Sequence, residues 1–499
     1  MNHRELLLVA VATSCAFSAC GGDSKDPGNA APQAGRGGST TGNGNGAGAG
    51  GDEAGAGELN AGAGGEDAGT GAVSGGGGAE SSGGSGEPGA GGNAGDGTAG
   101  AIGEGGGANP PTDTCVYPAA SELGGASVPA GYCAYTWASG LLHPRGIIVD
   151  EKGDVLVSDN GRIVLLYDDN GNGVSEDDER VVLRTEAGLN HGIALNAGYL
   201  YASTPTTVYR WPYEGDREPL GTPQAVVTGM PTGGHVTRTP LFDNQGRLYV
   251  SIGSSGNVDT DSRRARLIRF PANVLAETST FAEGELFADG LRNEAGLALD
   301  SQGRVWGVEN GRDNLQRADL GADIHQDNPG EELNLFREED AGRFYGYPYC
   351  WSEYNLPNGN GPGTQWADPT NTKHDDAWCK DTANVIPPVM VMQGHSAPLD
   401  IKFYVGSGLP ADVVGDAFVT FHGSWNRTTK TGYKVVRIPF GNDGMPSGDP
   451  VPVLESANPG DSDPQWPHRP VGLAIGHQGQ LFVTSDASGV IIAVGYAAK

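Results

Sequence analysis

"PRGIIVDEKGDVLVSDNGRIVLLY", residues 144–167, carries the pattern that decides the fold. A short apolar strand, PRGIIV, runs into a polar turn containing Gly153. A second strand, VLVSD, follows, and after a turn at Asn160–Gly161 comes a third, RIVLLY. β-Branched and leucine residues bounded by Gly, Asp and Asn are the composition of strands and tight turns. The same signature returns from Asn190 ("NHGIALNAGYLYASTPTTVYRW"), His235, Arg292, Ala397 and Arg469. Repeats of about 45 residues, each worth three or four strands, mark a β-propeller, and six copies call for six blades. A β-sandwich, the rival all-β fold, has no reason to repeat one two-strand signature six times. The stretch from Asn314 to Ala397 interrupts the series and reads as an insertion.

Outside the repeats the composition changes. Residues 1–19 combine a short basic start with "LLLVAVATSCAF", an apolar run too short to span a bilayer as a mature helix. It ends in small residues before Cys20. That is the pattern of a lipoprotein signal, with lipid on Cys20 as the only membrane contact, and an ordinary secretory signal is the alternative. The expected location is outside the cytoplasm, on an outer membrane, facing the periplasm or the cell surface. Residues 20–113 are mostly Gly, Ala, Ser and scattered acids. Such a segment buries too little apolar surface to offset the entropy of ordering it, so a disordered tether is expected. Residues 114–499 form the propeller domain.

Four cysteines fall in that domain. An even number in an exported chain reads as disulfides. Sequence proximity suggests Cys115–Cys133 and Cys350–Cys379, with the other two connectivities open. A net charge of −30 argues against nucleic acid as a partner, because phosphate binding needs basic surface.

In a propeller the first strand of each blade lines the central channel. The residues at its entry are Arg145, Asn190 with His191, His235 with Arg238, Arg292 with Asn293, His395, and His468 with Arg469. Each alone reads equally well as a local cap. All six together describe a ring of cationic and polar donors suited to a flat polyanion. Glu331 and Glu332 read as the end of a strand, neutralising a nearby arginine.

Several of these residues lie in longer motifs: "HPRGI", "GGHVTRT", "GLRNEAGLA", "YGYPYCW", "GHSAP", "HGSWNR" and "HRPVGLA". From about Tyr132 onward the chain resembles the soluble pyrroloquinoline quinone (PQQ) dependent sugar dehydrogenases, most closely the L-sorbosone and pyranose dehydrogenase branch. The resemblance implies PQQ, a tricarboxylate ortho-quinone, and calcium as cofactors. It implies a sugar as substrate and a quinone or cytochrome as external electron acceptor. It gives His235 the role of catalytic base and Arg292 that of polarising the reacting carbonyl. Arg145, Asn293 and Arg469 would contact the cofactor, joined by Asn190, His191 and Arg238 from the ring. Main-chain carbonyls of Gly311 and Arg312 would hold the catalytic calcium. Where the glucose-oxidising branch has a lysine, this chain has Asn426. Trp425 and His422 would substitute as a stacking ring and a polar contact, and each also reads as core packing. Two other readings are a calcium-dependent lactonase propeller and a non-catalytic sugar-binding propeller.

"DDNGNGVSEDDE", residues 168–179, matches the spacing of a calcium-binding loop. The flanking segments read as strands, which removes the helix-pair switch of an EF-hand. Asp168, Asn170, Asn172 and Glu179 (or Asp177) could still wrap a structural calcium ion. An Asn-Gly turn with solvated acids is the alternative.

Overall fold

The structure is a computed structural model that describes residues 114–115, 123–458 and 466–497. The expected signal (1–19), the tether (20–113) and Cys20 lie outside the described residues. Six sheets of four or five strands form the body, antiparallel except for one parallel outer pair in each of the second and third. Their innermost strands are Pro144–Val149, Ile193–Asn196, Pro240–Phe242, Glu294–Leu299, Pro398–Phe403 and Pro470–Ile475. Each touches the next, and the sixth touches the first, so the ring closes as a six-bladed propeller. Tyr132–Ala138 closes it by hydrogen bonding: it comes from before the first blade and pairs antiparallel with Val490–Tyr496 as the outer strand of the last. The disulfides are Cys115–Cys133, beside that closure, and Cys350–Cys379.

The turn between first and second strands has a repeated cause. In the first, third and fourth blades an Asp opens it. One carboxylate oxygen of Asp150, Asp243 or Asp300 accepts N–H bonds from the residues two and four further on. Each such turn then passes through a left-handed glycine, Gly153, Gly246 or Gly303. Between blades, interleaved aromatic and branched side chains exclude water. Between the fourth and fifth, for example, Trp306, Phe403, Val419 and Ile438 are all buried.

The stretch 314–397 is only partly an insertion. It supplies the third and fourth strands of the fourth blade, Glu331–Phe336 and Met390–Met392, and an edge strand of the third, Arg343–Phe344. A two-strand hairpin (Cys350–Ser352 with Gln365–Ala367) and the helix Asp376–Lys380 stand outside the blades. A fourth strand of three residues is too short to show alternation, which is why the sequence hides it. Glu331 and Glu332 open a strand here, and both are buried. Among the described residues neither forms an ion pair with arginine.

The inner ring is held by close contact and by hydroxyl bridges. A Cβ on Gly146 would lie 2.0 Å from the His191 carbonyl oxygen, on Gly192 2.1 Å from that of Arg238, and on Gly472 2.2 Å from that of Arg145. Only glycine permits that approach. Inner strands also bulge near their start, which frees an N–H from the ladder. A hydroxyl on the second strand takes it up and donates onward to the next blade. Gly472 N donates to Thr484 Oγ1 at 2.8 Å, and Thr484 Oγ1 donates to the Arg145 carbonyl at 2.6 Å. Asp400 N, Thr420 Oγ1 and the Val471 carbonyl repeat the chain at 3.0 and 2.6 Å. Ser203 and Thr239 donate to the Arg238 and Ala295 carbonyls at 2.6 and 2.5 Å.

Gly472→Ala is therefore expected to destabilise by about 3 kcal/mol through overpacking against backbone. Thr484→Val should cost about 1–3 kcal/mol by stranding two buried main-chain groups. Gly221→Ala, where nothing lies within 4 Å of the added methyl, should stay near wild type. Urea unfolding midpoints of the three variants check the ranking.

Candidate active site

At the end of the ring where the inner strands begin lies a cavity of about 350 Å³. Arg145, His235, Arg292, Asn293, His395 and Arg469 reach it from the entries of inner strands. Gly311 and Asp313 reach it from the second connection of the fourth blade, and His422, Trp425 and Asn426 from that of the fifth. Among its described lining residues none comes from the second blade, so the cavity sits off the axis.

Four predicted residues are placed differently. Arg238 is fully buried, and its guanidinium donates to the carbonyls of Pro205, His235, Thr237 and Pro231 at 2.7–3.1 Å. Four of its five N–H donors are used on main-chain carbonyls and it does not line the cavity; it folds the segment that carries His235. His191 is buried on the channel below, where its Nδ1 lies 3.4 Å from Arg145 Nε. Asn190 donates to the Val236 carbonyl at 3.2 Å and does not line the cavity. The Arg312 side chain turns outward from it to pair with the buried carboxylate of Asp368.

Three guanidinium groups do line the cavity, each differently compensated. Arg292 is 4 % exposed and donates to the Gly311 carbonyl at 2.7 Å, to Asp313 at 3.0 Å and to the Asn257 side chain at 3.1 Å. Arg145 donates to Asp486 at 2.6 Å. Arg469 donates only to the carbonyls of His422 and Gly423, at 3.1 and 2.8 Å. Its charge has no carboxylate partner among the described residues. Beside it, Asn426 Nδ2 is buried without an acceptor. An uncompensated guanidinium and an orphaned amide donor in one cavity fit an anionic ligand.

The imidazoles differ in what holds them. His422 Nε2 lies 2.8 Å from Asp486, yet burial pushes its pKa down to about 4. His235 Nδ1 lies 2.8 Å from the Ser254 hydroxyl. Burial, reinforced by the Arg292 charge, pushes it down to about 3, so the ring is a neutral acceptor at physiological pH. His395 goes the other way. Burial would lower it, but Asp313 and Glu331 outweigh that and hold its pKa up. Its Nε2 meets the His325 carbonyl at 2.6 Å and its Nδ1 faces Asp313 at 3.6 Å. Glu331 accepts from Gly311 N at 2.7 Å and Ala397 N at 3.0 Å, and burial raises it to about 7.

Beside the Gly311 and Arg312 carbonyls stands Arg292, which donates to the Gly311 oxygen at 2.7 Å and to the Asp313 carboxylate at 3.0 Å. The Gly311 oxygen keeps one further lone-pair position beside that donor. The 168–179 loop joins the third and fourth strands of the first blade, at the end of the ring opposite the cavity. Asp168 accepts from Asn172 N and Gly173 N, and Asn172 from Val174 N, at 2.9–3.0 Å. Glu179 accepts from Asp169 N, Asn170 N and Glu176 N at 2.9–3.3 Å. These oxygens cap the loop's own N–H groups, Glu179 Oε1 taking two of them, and among the described residues no three or more His, Cys, Asp or Glu are grouped to hold a metal ion.

Asp313, Asn310 and Asp486 were not legible as site residues. They lie in the second connections of blades, where the repeat signature gives no fixed position. Arg238→Met is expected to lower stability by several kcal/mol, on the order of 3, by leaving four main-chain acceptors short of a donor. Chemical denaturation of that variant beside the wild type checks this.

Comparison with known proteins agrees with this architecture. The TrAA12-like family model matches residues 126–497. The pyrroloquinoline quinone-dependent sugar dehydrogenase of Hypocrea jecorina is 35% identical over 387 residues, covering 71% of this chain and 85% of that protein. The pyrroloquinoline quinone-dependent pyranose dehydrogenase of Coprinopsis cinerea is 30% identical over 392 residues. That match covers 71% of this chain and 52% of the Coprinopsis protein, so the chain spans about half its length. Among solved structures, a Trichoderma reesei carbohydrate-active enzyme of family AA12 superposes with a TM-score of 0.67 at 33% identity, over 78% of this chain and 100% of that one. The holo form of the Coprinopsis cinerea pyranose dehydrogenase PQQ domain gives a TM-score of 0.67 at 28% identity, over 76% and 98%. With a family match across nearly all of the described propeller, this chain belongs to the TrAA12-like family.

Proposed function

We propose that this chain is a PQQ-dependent sugar dehydrogenase that oxidises a pyranose-, aldose- or sorbosone-type substrate. The observation that carries the reading is the concentration of Arg145, Arg292, Arg469 and the orphaned Asn426 donor around one cavity that also holds a neutral imidazole. When bound, PQQ would supply the hydride acceptor. Arg469 and Arg145 would hold its carboxylates, and Arg292 with Asn293 would face the quinone oxygens. His235, unprotonated at neutral pH, would take the proton of the sugar hydroxyl at Nε2. Trp425, about half exposed while lining the cavity, stands where a flat ring or sugar face could stack on it.

The apolar run and small residues before Cys20 support an exported protein lipidated there, which would pass electrons to an external quinone or cytochrome. Calcium is proposed at two places: in the cavity, on the main-chain carbonyls of Gly311 and Arg312, and in the 168–179 loop, as a structural ion held by Asp168, Asn170, Asn172 and Glu179. Loss of the loop ion in Asp168→Ala is expected to lower the melting temperature and leave turnover per bound cofactor unchanged.

Reduction of an artificial dye by the purified protein, reconstituted with PQQ and given a panel of sugars, tests the function. Turnover with at least one sugar is expected; stoichiometric PQQ without turnover on any of them would sink the enzyme reading for that panel. His235→Ala should keep the cofactor spectrum and lose turnover by roughly 100- to 10,000-fold, the range of a general base. Glu331 sets a pH effect of known sign. Below pH 7 its carboxyl is neutral; above, it adds a negative charge beside an anionic ligand. PQQ affinity should therefore weaken as pH rises through about 7, and Glu331→Gln should flatten that dependence.

A further inference from the structure

Ser254 lies directly behind the proposed base and is fully buried. Its hydroxyl meets His235 Nδ1 at 2.8 Å and the Gly256 carbonyl oxygen at 2.7 Å, with the Tyr347 hydroxyl as a further side-chain partner able to donate to it. A carbonyl can only accept, so the single hydroxyl proton must point to Gly256. The alternative would set two oxygen lone pairs against each other at 2.7 Å. Ser254 Oγ is thus left as an acceptor, and His235 Nδ1 must carry the proton. The imidazole's lone pair is then at Nε2.

The main chain fixes this relay from both sides. His235 N donates to the Ser254 carbonyl at 3.0 Å, and Ser254 N donates to the Arg292 carbonyl at 2.8 Å. Tyr347 Oη reaches the Gly256 and Asn257 carbonyls at 3.4 and 3.3 Å, bracing the loop that ends the relay. No carboxylate is hydrogen-bonded to His235 among the described residues. The relay ends on a neutral carbonyl, so it sets orientation and tautomer without adding negative charge behind the ring.

We propose that Ser254 is a positioning residue that locks His235 in its Nδ1–H tautomer, through a hydroxyl-to-carbonyl relay in place of a carboxylate. The proposal rests on the dehydrogenase reading for its consequence. In oxidation of a CH–OH group the O–H proton would go to His235 Nε2 and a C=O bond would form, the hydride leaving carbon for the bound PQQ, which would supply the two-electron oxidant. That step needs the lone pair at Nε2, which only the Nδ1–H tautomer supplies. Without the relay both tautomers compete.

The test has two readouts. Nitrogen-15 NMR of cofactor-free protein labelled at histidine, with the His235 signals identified by their loss in His235→Gln, reports the tautomer. Wild type should show a protonated Nδ1 and an unprotonated Nε2. Ser254→Ala should show both nitrogens partly protonated, and Ser254→Thr should restore the wild-type pattern. Kinetics of the reconstituted variants should show kcat for Ser254→Ala lowered roughly 10- to 100-fold, sugar KM and PQQ stoichiometry unchanged, and rescue by Ser254→Thr. A protonated Nε2 in wild type would overturn the proposal. So would loss of turnover in Ser254→Ala with the tautomer unchanged, or an altered tautomer with no loss of turnover. The NMR arm needs no cofactor, so failure to bind PQQ would count against the dehydrogenase reading and leave the tautomer result standing.

Discussion

The contact on which the rest of the structure depends is the approach of an inner-strand glycine to the carbonyl of the neighbouring inner strand. At Gly146, Gly192 and Gly472 a single added carbon would collide with that oxygen. The absent side chains let the strands crowd the axis, and hydroxyls such as Thr484 and Ser203 then bond the same carbonyls across the blade boundary. The gripped carbonyls belong to His191, Arg238 and Arg145. Arg145 among them also sends its guanidinium to the cavity at the mouth, while His191 and Arg238 turn their side chains into the channel and the protein interior. At Arg145 packing and site are built from one position, which helps hold a polar cluster rigidly without a separate domain.

Compensation of charge divides those side chains into working and supporting groups. Arg238 spends its guanidinium on four carbonyls, and Arg312 spends its own on Asp368. Arg145 shares Asp486 with His422, tying the fifth, sixth and first blades together beneath the cavity. Among the described residues of the cavity wall, Arg469 alone of the three arginines keeps a charge that no carboxylate answers. Behind Arg292, Asn334 Nδ2 lies 3.3–3.5 Å from Glu294, Glu309 and Glu332. Burial holds those carboxyls toward their protonated forms, so they support the blade without cancelling the arginine.

Much of this was legible in the sequence. The six-fold signature gave the blades because period-2 strands and Asp–Gly turns leave a local record. The closure by Tyr132–Ala138 left none, since pairing between the two ends of a chain has no local pattern. The ring of entry donors led to Arg145, His235, Arg292, Asn293 and Arg469 at one cavity. It also included Asn190, His191 and Arg238, because residue type at an entry does not say which way a side chain turns once the cavity lies off the axis. Asp313, Asp486 and Ser254 were invisible for a related reason: each acts through a partner far away in sequence or on a different strand.

Calorimetric titration of PQQ into the cofactor-free protein, at two salt concentrations and with Arg469→Ala beside wild type, tests the central claim most directly. One PQQ per chain is expected, bound more weakly at high salt and at least about tenfold more weakly without Arg469, the loss of one charge-assisted contact. No binding, or binding indifferent to both salt and Arg469, would contradict a cationic cofactor site at the mouth of this propeller.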